Sequence, residues 1–572
     1  MSAEDTVASF SSTAPTAAVV GAGIAGVHVA HELAKIGFDV TVFEKTDVIA
    51  GGATSRTLPF VGVGLLEPSL VKLRFRDELV KGFSPFGYPN IIVRDHFFNS
   101  IFSGQIYRWL RGRTKSVFNP EEVMFYTDNL SKLSLSVVRE YCHRYPELRQ
   151  HILADQVVVR SLTRDGERRA PQFTPVPTAH PSPIMLNPVG WTRALADICQ
   201  QRYHVKFAFQ QNVEEPNVYL NYDEERTRSL SISTADPKNP SQRLYREENF
   251  DVVVLAAGAA TGEITQKTSR LPIIGFSGWA AAIRSASGSL KDSVASLFPP
   301  REQKETSLLS LSAPCSLFAY DLPAETEAGK EYRISGLLSL DKTVPTGKKA
   351  AATKNTDRLE TYLQVISGLD IPLLDAMETP TNSSEIETTQ YVRGFTPDGV
   401  PLVDHSGGAF NTFVCSGFGD HDADFAPGAA KILSKLVEHR AQKLLEEDYA
   451  FLARNGVLAE GTTHKVKLPT LRINKVRREL KDLLRGELPP ETETVSSPRW
   501  WSCWFGGAKE TNVVEEKTAE VSNPYASDRF GNLVSKRIAK HPPFPPWPTS
   551  TALEEQTTSR RQSPIPVPCA RV

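Results

Sequence analysis

The residues best spaced for chemistry begin at Gly21. In GAGIAG (21–26), Gly21 permits a tight turn, Gly23 lets the backbone approach a diphosphate, and Gly26 allows a helix to pack against a strand. Ile24 and Ala25 complete the turn, so N–H groups at a helix N-terminus face the phosphates. Glu44, with Lys45 beside it, ends the next strand, where a carboxylate can bind both ribose hydroxyls. GxGxxG alone also describes an ordinary glycine turn; its setting between strand and helix, trailed by Glu44, makes it a dinucleotide site. Glu44 also disfavours a 2′-phosphate, and with it NADP.

A second cradle follows. GGATSR (51–56) places Gly52, Thr54, Ser55 and Arg56 where amides and side-chain donors can meet an extended diphosphate. By itself it could be a polar loop. NAD enzymes seldom need it, so its presence points to FAD.

These residues need particular elements to hold them. AAVV (17–20) reads as a strand, a helical stretch ends near Gly37, and DVTVFEK (39–45) is a β-branched strand. Helices are expected over about 120–146 and 188–203, the second leading into a strand at 205–210. DVVVLAAG (251–258) is a near-continuous apolar run of the kind buried on both sheet faces. Within 271–384 the pattern gives strands such as 331–340 and a helical stretch near 356–368. FNTFVCSGFG (410–419) is another buried strand entering a glycine turn, and a final helix is expected over about 428–446.

Composition limits the partners. The 572 residues carry a formal net charge of −1, without the basic excess of a nucleic-acid binder. The six cysteines form no CxxC pair or zinc-spaced cluster, which reads as a reducing compartment and no metal site. No apolar run is long enough to span a bilayer. The first residues resemble neither a signal nor a transit peptide, and the expected compartment is the cytoplasm.

Beyond about residue 470 the chain changes character. Twelve prolines fall in the last 103 residues, and WWSCWF (500–505) holds three of the seven tryptophans. The stretch 470–572 reads as a largely disordered Pro-rich tail. Its aromatic cluster would bury against the folded body, a protein partner or a membrane interface.

The N-terminal fingerprint, DVVVLAAG (251–258), YVRGFTPDGVPLVD (391–404) and SGFGDHDADFAPGAAKIL (416–433) together resemble the FAD-dependent D-amino-acid oxidase/dehydrogenase superfamily. The helix containing YTDNLSKLSLSVVREY and the strand LPIIGFSGWAAAI (271–283) are similar to those of bacterial-type D-amino-acid dehydrogenases. The resemblance covers roughly residues 16–450. It implies an α/β fold: a discontinuous Rossmann-like FAD-binding domain (16–70, 184–270, 385–450) and an interleaved α+β substrate domain (71–183, 271–384). It also implies oxidation of an amino acid or related amine by hydride transfer to non-covalently bound FAD, with oxygen or a quinone as electron acceptor. An N-methyl or secondary amine oxidase is the alternative, as is an altered flavoprotein scaffold that acts through the tail.

The resemblance also implies site roles. Gly21, Gly23, Gly26 and Glu44 match ADP-binding positions, and Thr54 and Ser55 match a pyrophosphate loop. Val213 matches a residue whose backbone meets adenine, and Ala257 and Gly258 match a strand end passing the ribityl–pyrophosphate region. Arg393 matches an arginine that pairs with a substrate carboxylate, a role that suits its planar fork; a structural ion pair is the other possibility. Gly417, Phe418 and Gly419 should pass beside the flavin pyrimidine. The run Asp420-His421-Asp422-Ala423-Asp424 departs from the family pattern. Its carboxylates would oppose a reduced flavin anion unless paired or turned outward, while His421 could supply positive charge or be satisfied by Asp422.

Overall fold

The computed structural model describes residues 15–64, 109, 118, 120–163, 172–216, 229–235, 243–265, 270–283, 305–311, 317–322, 331–339, 386–406, 411–454, 482 and 523–526. The expected helix near 356–368 and the cluster at 500–505 lie outside the described residues.

The central sheet follows from buried apolar runs. β1 (Thr16–Val20), β2 (Asp39–Phe43), β8 (Lys206–Ala208), β12 (Val252–Leu255), β18 (Leu402–His405) and β19 (Thr412–Ser416) lie in the order β18-β19-β12-β1-β2-β8. The strands from β19 to β8 run parallel, and β18 is an antiparallel edge. β12, the run VVVL, is buried throughout, as a strand covered on both faces must be. From β1 the chain moves one way to β2 and later returns on the other side as β12. Such a reversal opens a crevice at the carboxyl ends of the strands, where α/β sheets hold ligands.

The remaining described strands form three sheets. β17 (Ile386–Phe395), β13 (Ile274–Ile283), β16 (Glu331–Ser339), β15 (Leu317–Leu322), β14 (Glu305–Leu311), β5 (Gln156–Thr163) and β6 (Gln172–Pro175) make a seven-stranded sheet in that order. A small sheet joins β3 (Phe60–Val61), β7 (Ile184–Leu186) and β4 (Ile152–Ala154). Another joins β11 (Arg243–Asn249), β10 (Ser229–Ala235) and β9 (Asn212–Pro216).

Helices cover the central sheet. α1 (Ile24–Lys35) shares one core with α2 (Pro120–Arg144), α3 (Pro188–Tyr203) and α5 (Asp422–Arg454), through residues such as Leu33, Leu130, Leu195 and Leu433. α2 falls in the 71–183 stretch expected for the second domain, yet its inner face belongs to this core. The side of α1 that meets α2 is polar: Tyr141 donates to Glu32 at 2.7 Å, and the two nitrogens of His31 bond the Tyr141 and Tyr145 hydroxyls. Satisfied in this way, buried polar groups fix one helix orientation. α3 begins where its sequence dictates, with the Asn187 side chain accepting from Gly190 N at 3.1 Å and Pro188 in the first turn. The short α4 (Ala260–Ile264) follows β12.

One expectation is corrected, and a second is narrowed. The last helix starts at Asp422, not near 428, and runs to Arg454. Pro427 falls early in α5, and Asp422 and Asp424 supply first-turn carboxylates that favour a helix start. Just after it, Gly428 N donates to Ser134 Oγ at 2.9 Å. Within the tail expected to be largely disordered, Asn523–Ala526 is packed onto the body. Val403 N donates to Tyr525 O at 3.0 Å, the Asn523 side chain donates to Val403 O, and Tyr525 Oη donates to Tyr126 O. Tyr525 is 1% exposed and joins the core, because the β18 edge offers unpaired backbone groups and an apolar seat.

Candidate active site

The crevice at the ends of β1 and β12 is lined by the first motif. Gly21 has φ 106, and a Cβ there would stand 2.7 Å from Ala256 O. Gly26 is tighter still, with its would-be Cβ 1.8 Å from Gly21 O. Both positions require glycine for steric reasons. Ile24 and Ala25 are buried in the first turn of α1, whose N-cap is Gly23; first-turn N–H groups have no acceptor within the helix.

The second cradle reaches back to the first. Thr54 Oγ1 accepts from Ile24 N at 3.0 Å, which fixes the turn Ala53–Arg56 against the start of α1. Ser55 Oγ donates to Gly52 O at 2.9 Å. Glu44 accepts from Ala22 N at 2.8 Å through Oε2 and from Thr46 N and Oγ1 through Oε1. Lys45 beside it is exposed. Val213 lies at the start of β9, two residues after Gln211, whose N–H donates to Glu44 O. At the end of β12, Ala257 and Gly258 turn the chain, with Gly258 at φ 55 and its carbonyl accepting from Ser416 Oγ. These residues are therefore gathered along one edge of the sheet.

The second cluster stands at the adjoining corner. Phe395, the last residue of β17, bridges Phe418, and Gly419 N donates to Gly394 O at 3.0 Å. Gly417 and Gly419 both have positive φ, at 86 and 61. A Cβ at Gly419 would press 2.6 Å from the Phe395 ring. Trp109 Nε1 donates to Phe395 O, and Phe276 lies edge-on to both Trp109 and Phe395. The result is an aromatic wall beside the glycine turn.

Arg393 is 1% exposed. Its Nη1 donates to Asp420 Oδ1, its Nη2 donates to Arg56 O, and its guanidinium lies 4.0 Å from the Tyr391 ring centroid. Tyr391 shares Arg393's strand face at a spacing of two, which the sequence already displayed. Asp420 was the partner that sequence reasoning missed. The only signal for it was an acidic run that needed counter-charges.

His421 does not carry the positive charge considered for it. Burial, with Arg393 nearby, pushes its pKa down to about 3, and its ring stacks on Phe425 with centroids 5.2 Å apart. Asp424 accepts from Gly62 N (2.7 Å), Gly64 N (2.8 Å) and Ser131 Oγ (2.6 Å). Burial nevertheless pushes its carboxyl up to about 7, and that of Asp422 up to about 6. Of the three carboxylates in the run, Asp420 and Asp424 are thus tied down inside the protein.

The crevice fits FAD. Among the described residues, buried polar atoms without a hydrogen-bond partner include Gln211 Oε1, on the residue whose N–H donates to Glu44 O, Thr261 Oγ1, three residues after Gly258, and Arg393 Nε. At Gly52 and Gly258 a Cβ would meet nothing within 4 Å. Open backbone and unspent polar atoms over this length suit an extended dinucleotide. Among the described residues no helix is long and apolar enough to cross a membrane.

The chain is similar to several solved flavoenzymes. Glycine oxidase from Bacillus cereus is 13% identical, with a TM-score of 0.44 over 74% of this chain and 95% of that one. L-proline dehydrogenase from P. horikoshii is 15% identical, with a TM-score of 0.43 over 74% and 93%. Fructosyl amine:oxygen oxidoreductase (Amadoriase I) from Aspergillus fumigatus is 13% identical, with a TM-score of 0.41 over 75% and 87%. No curated protein matches the sequence. The family model described as DAO, FAD dependent oxidoreductase, matches residues 16–436. That span takes in both glycine cradles, the β12 turn and the Arg393 corner, and the chain belongs to this family of FAD-dependent oxidoreductases.

Proposed function

We propose that the chain oxidises the C–N bond of a small amine or amino acid at the corner formed by Arg393, Tyr391 and the Gly417–Gly419 turn. The observation that carries this is the meeting of that corner with the crevice edge at Gly258: Gly258 O lies 3.0 Å from where a Cβ of Gly394 would stand. A substrate held at the corner would therefore sit at one end of the cofactor crevice.

FAD, when bound, supplies the two-electron acceptor. The protein's own groups orient and enclose. Glu44 is placed for ribose hydroxyls, and the first turn of α1 with Gly52, Thr54 and Ser55 for the diphosphate. Val213, Ala257 and Gly258 lie along the path between, and Trp109, Phe276 and Phe395 shield the corner from water. Exclusion of water and fixed orientation are the main contributions such a site needs from its protein. His421, held neutral, adds no fixed charge there.

Anaerobic mixing of the FAD-loaded protein with a panel of amines, N-methyl amines and D- and L-amino acids tests this. Bleaching of the flavin absorbance by at least one member is expected; a flavin that none of them bleaches refutes it. Reoxidation by oxygen or by a quinone then identifies the acceptor.

A further inference from the structure

A buried guanidinium beside a ligand crevice is the natural receptor for a carboxylate, through two parallel N–H donors. Here the two terminal nitrogens of Arg393 are already engaged, one by the Asp420 carboxylate and one by the Arg56 carbonyl, and Tyr391 covers a face of the ion. Nε, a single N–H donor, is the nitrogen left without a partner. Asp420 is itself 6% exposed. Its backbone is anchored separately, with its carbonyl accepting from Leu58 N and Thr57 Oγ1, so the side chain is held at the guanidinium from a fixed base.

An incoming carboxylate would face two unfavourable choices. It could displace Asp420 and leave that carboxylate buried without its cation, or bury its own charge beside a pair already neutral. The neighbouring groups make the second worse. Asp422 and Asp424 follow in the first turn of α5, and His421 is held neutral, so the segment adds no cation. Among the described residues Arg56 also stands at this corner, and it directs Nη1 to the Ser55 carbonyl.

We propose that Asp420 is a specificity-determining residue, a built-in carboxylate that occupies Arg393 and restricts the site to amines bearing no carboxylate beside the reacting carbon. This rests on the amine-oxidation reading for its turnover test, but not for its binding test.

The binding test titrates the FAD-loaded wild-type protein with benzoate and benzylamine, followed by the flavin absorption spectrum. Benzylamine is expected to give a saturable shift and benzoate none. In Asp420→Asn, which keeps the size of the side chain and removes its charge, benzoate should bind about tenfold tighter or more. Wild-type protein that binds benzoate as tightly as benzylamine overturns the proposal. So does a folded, FAD-loaded Asp420→Asn protein that gains no benzoate affinity. If that variant does not fold, the wild-type comparison decides alone.

The turnover test compares D- and L-phenylalanine with phenethylamine, their decarboxylated counterpart. Reduction by phenethylamine and not by the amino acids is expected, and equal reduction overturns the proposal. If neither reduces the flavin, the amine-oxidation reading fails while the benzoate titration still decides the role of Asp420.

Discussion

Replacing Asp424 should expose how the loop after β3 is held to the last helix. Its carboxylate accepts two backbone N–H groups, from Gly62 and Gly64, and the Ser131 hydroxyl, all buried. Asp424→Ala leaves both N–H donors without an acceptor, at about 1–3 kcal/mol each, so a loss of about 2–6 kcal/mol is expected. Asp424→Asn separates charge from hydrogen bonding, because the amide cannot titrate and its Nδ2 would face an N–H donor. The pH dependence gives the sharper test. Burial pushes the folded carboxyl up to about 7, against about 4 in the unfolded chain. Between those values the folded protein holds a proton that the unfolded chain has lost. The Asp424 contribution is therefore fully present below about pH 4 and falls by about 1.4 kcal/mol per pH unit until about pH 7. Thermal melts of FAD-loaded wild-type and Asp424→Asn proteins, from about pH 5 to about pH 8, should show the stability gap shrinking by about 3 kcal/mol. A gap that stays constant over that range refutes the reasoning.

Three further outcomes are expected. Gly26→Ala places a Cβ against the Gly21 carbonyl, so α1 must back away from β1 and the purified protein should lose its yellow flavin absorbance. Tyr525→Phe should cost about 1 kcal/mol through the lost bond to the Tyr126 carbonyl, read by thermal melting. A chain ended before Asn523 should melt lower than one ended just after Ala526, and equal melting would show that the clip contributes nothing.

What the sequence made legible was local. Gly21 and Gly26 announce themselves because their constraint lies within a few residues of backbone, and α3 because Asn187 and Pro188 mark its start. What it hid depends on distant segments meeting. Asp420 finds Arg393 only because the Gly417–Gly419 turn folds across the end of β17. Asp424 finds Gly62 and Gly64 from 362 and 360 positions away. α5 starts earlier than expected, at Asp422, where the aspartates of the first turn favour a helix N-terminus. The packing of Tyr525 left no periodic signal, since four residues are too few to show one.

The clip at Asn523–Ala526 also turns a tail into a leash. Trp500, the start of the tryptophan-rich cluster, precedes Asn523 by 23 positions, and a chain of that length spans at most about 80 Å. Whatever surface those aromatic residues engage must lie within that radius of the β18 edge while the clip is closed. A surface on the same molecule is then met at a high effective concentration, whereas a distant one is reached only by letting Tyr525 go.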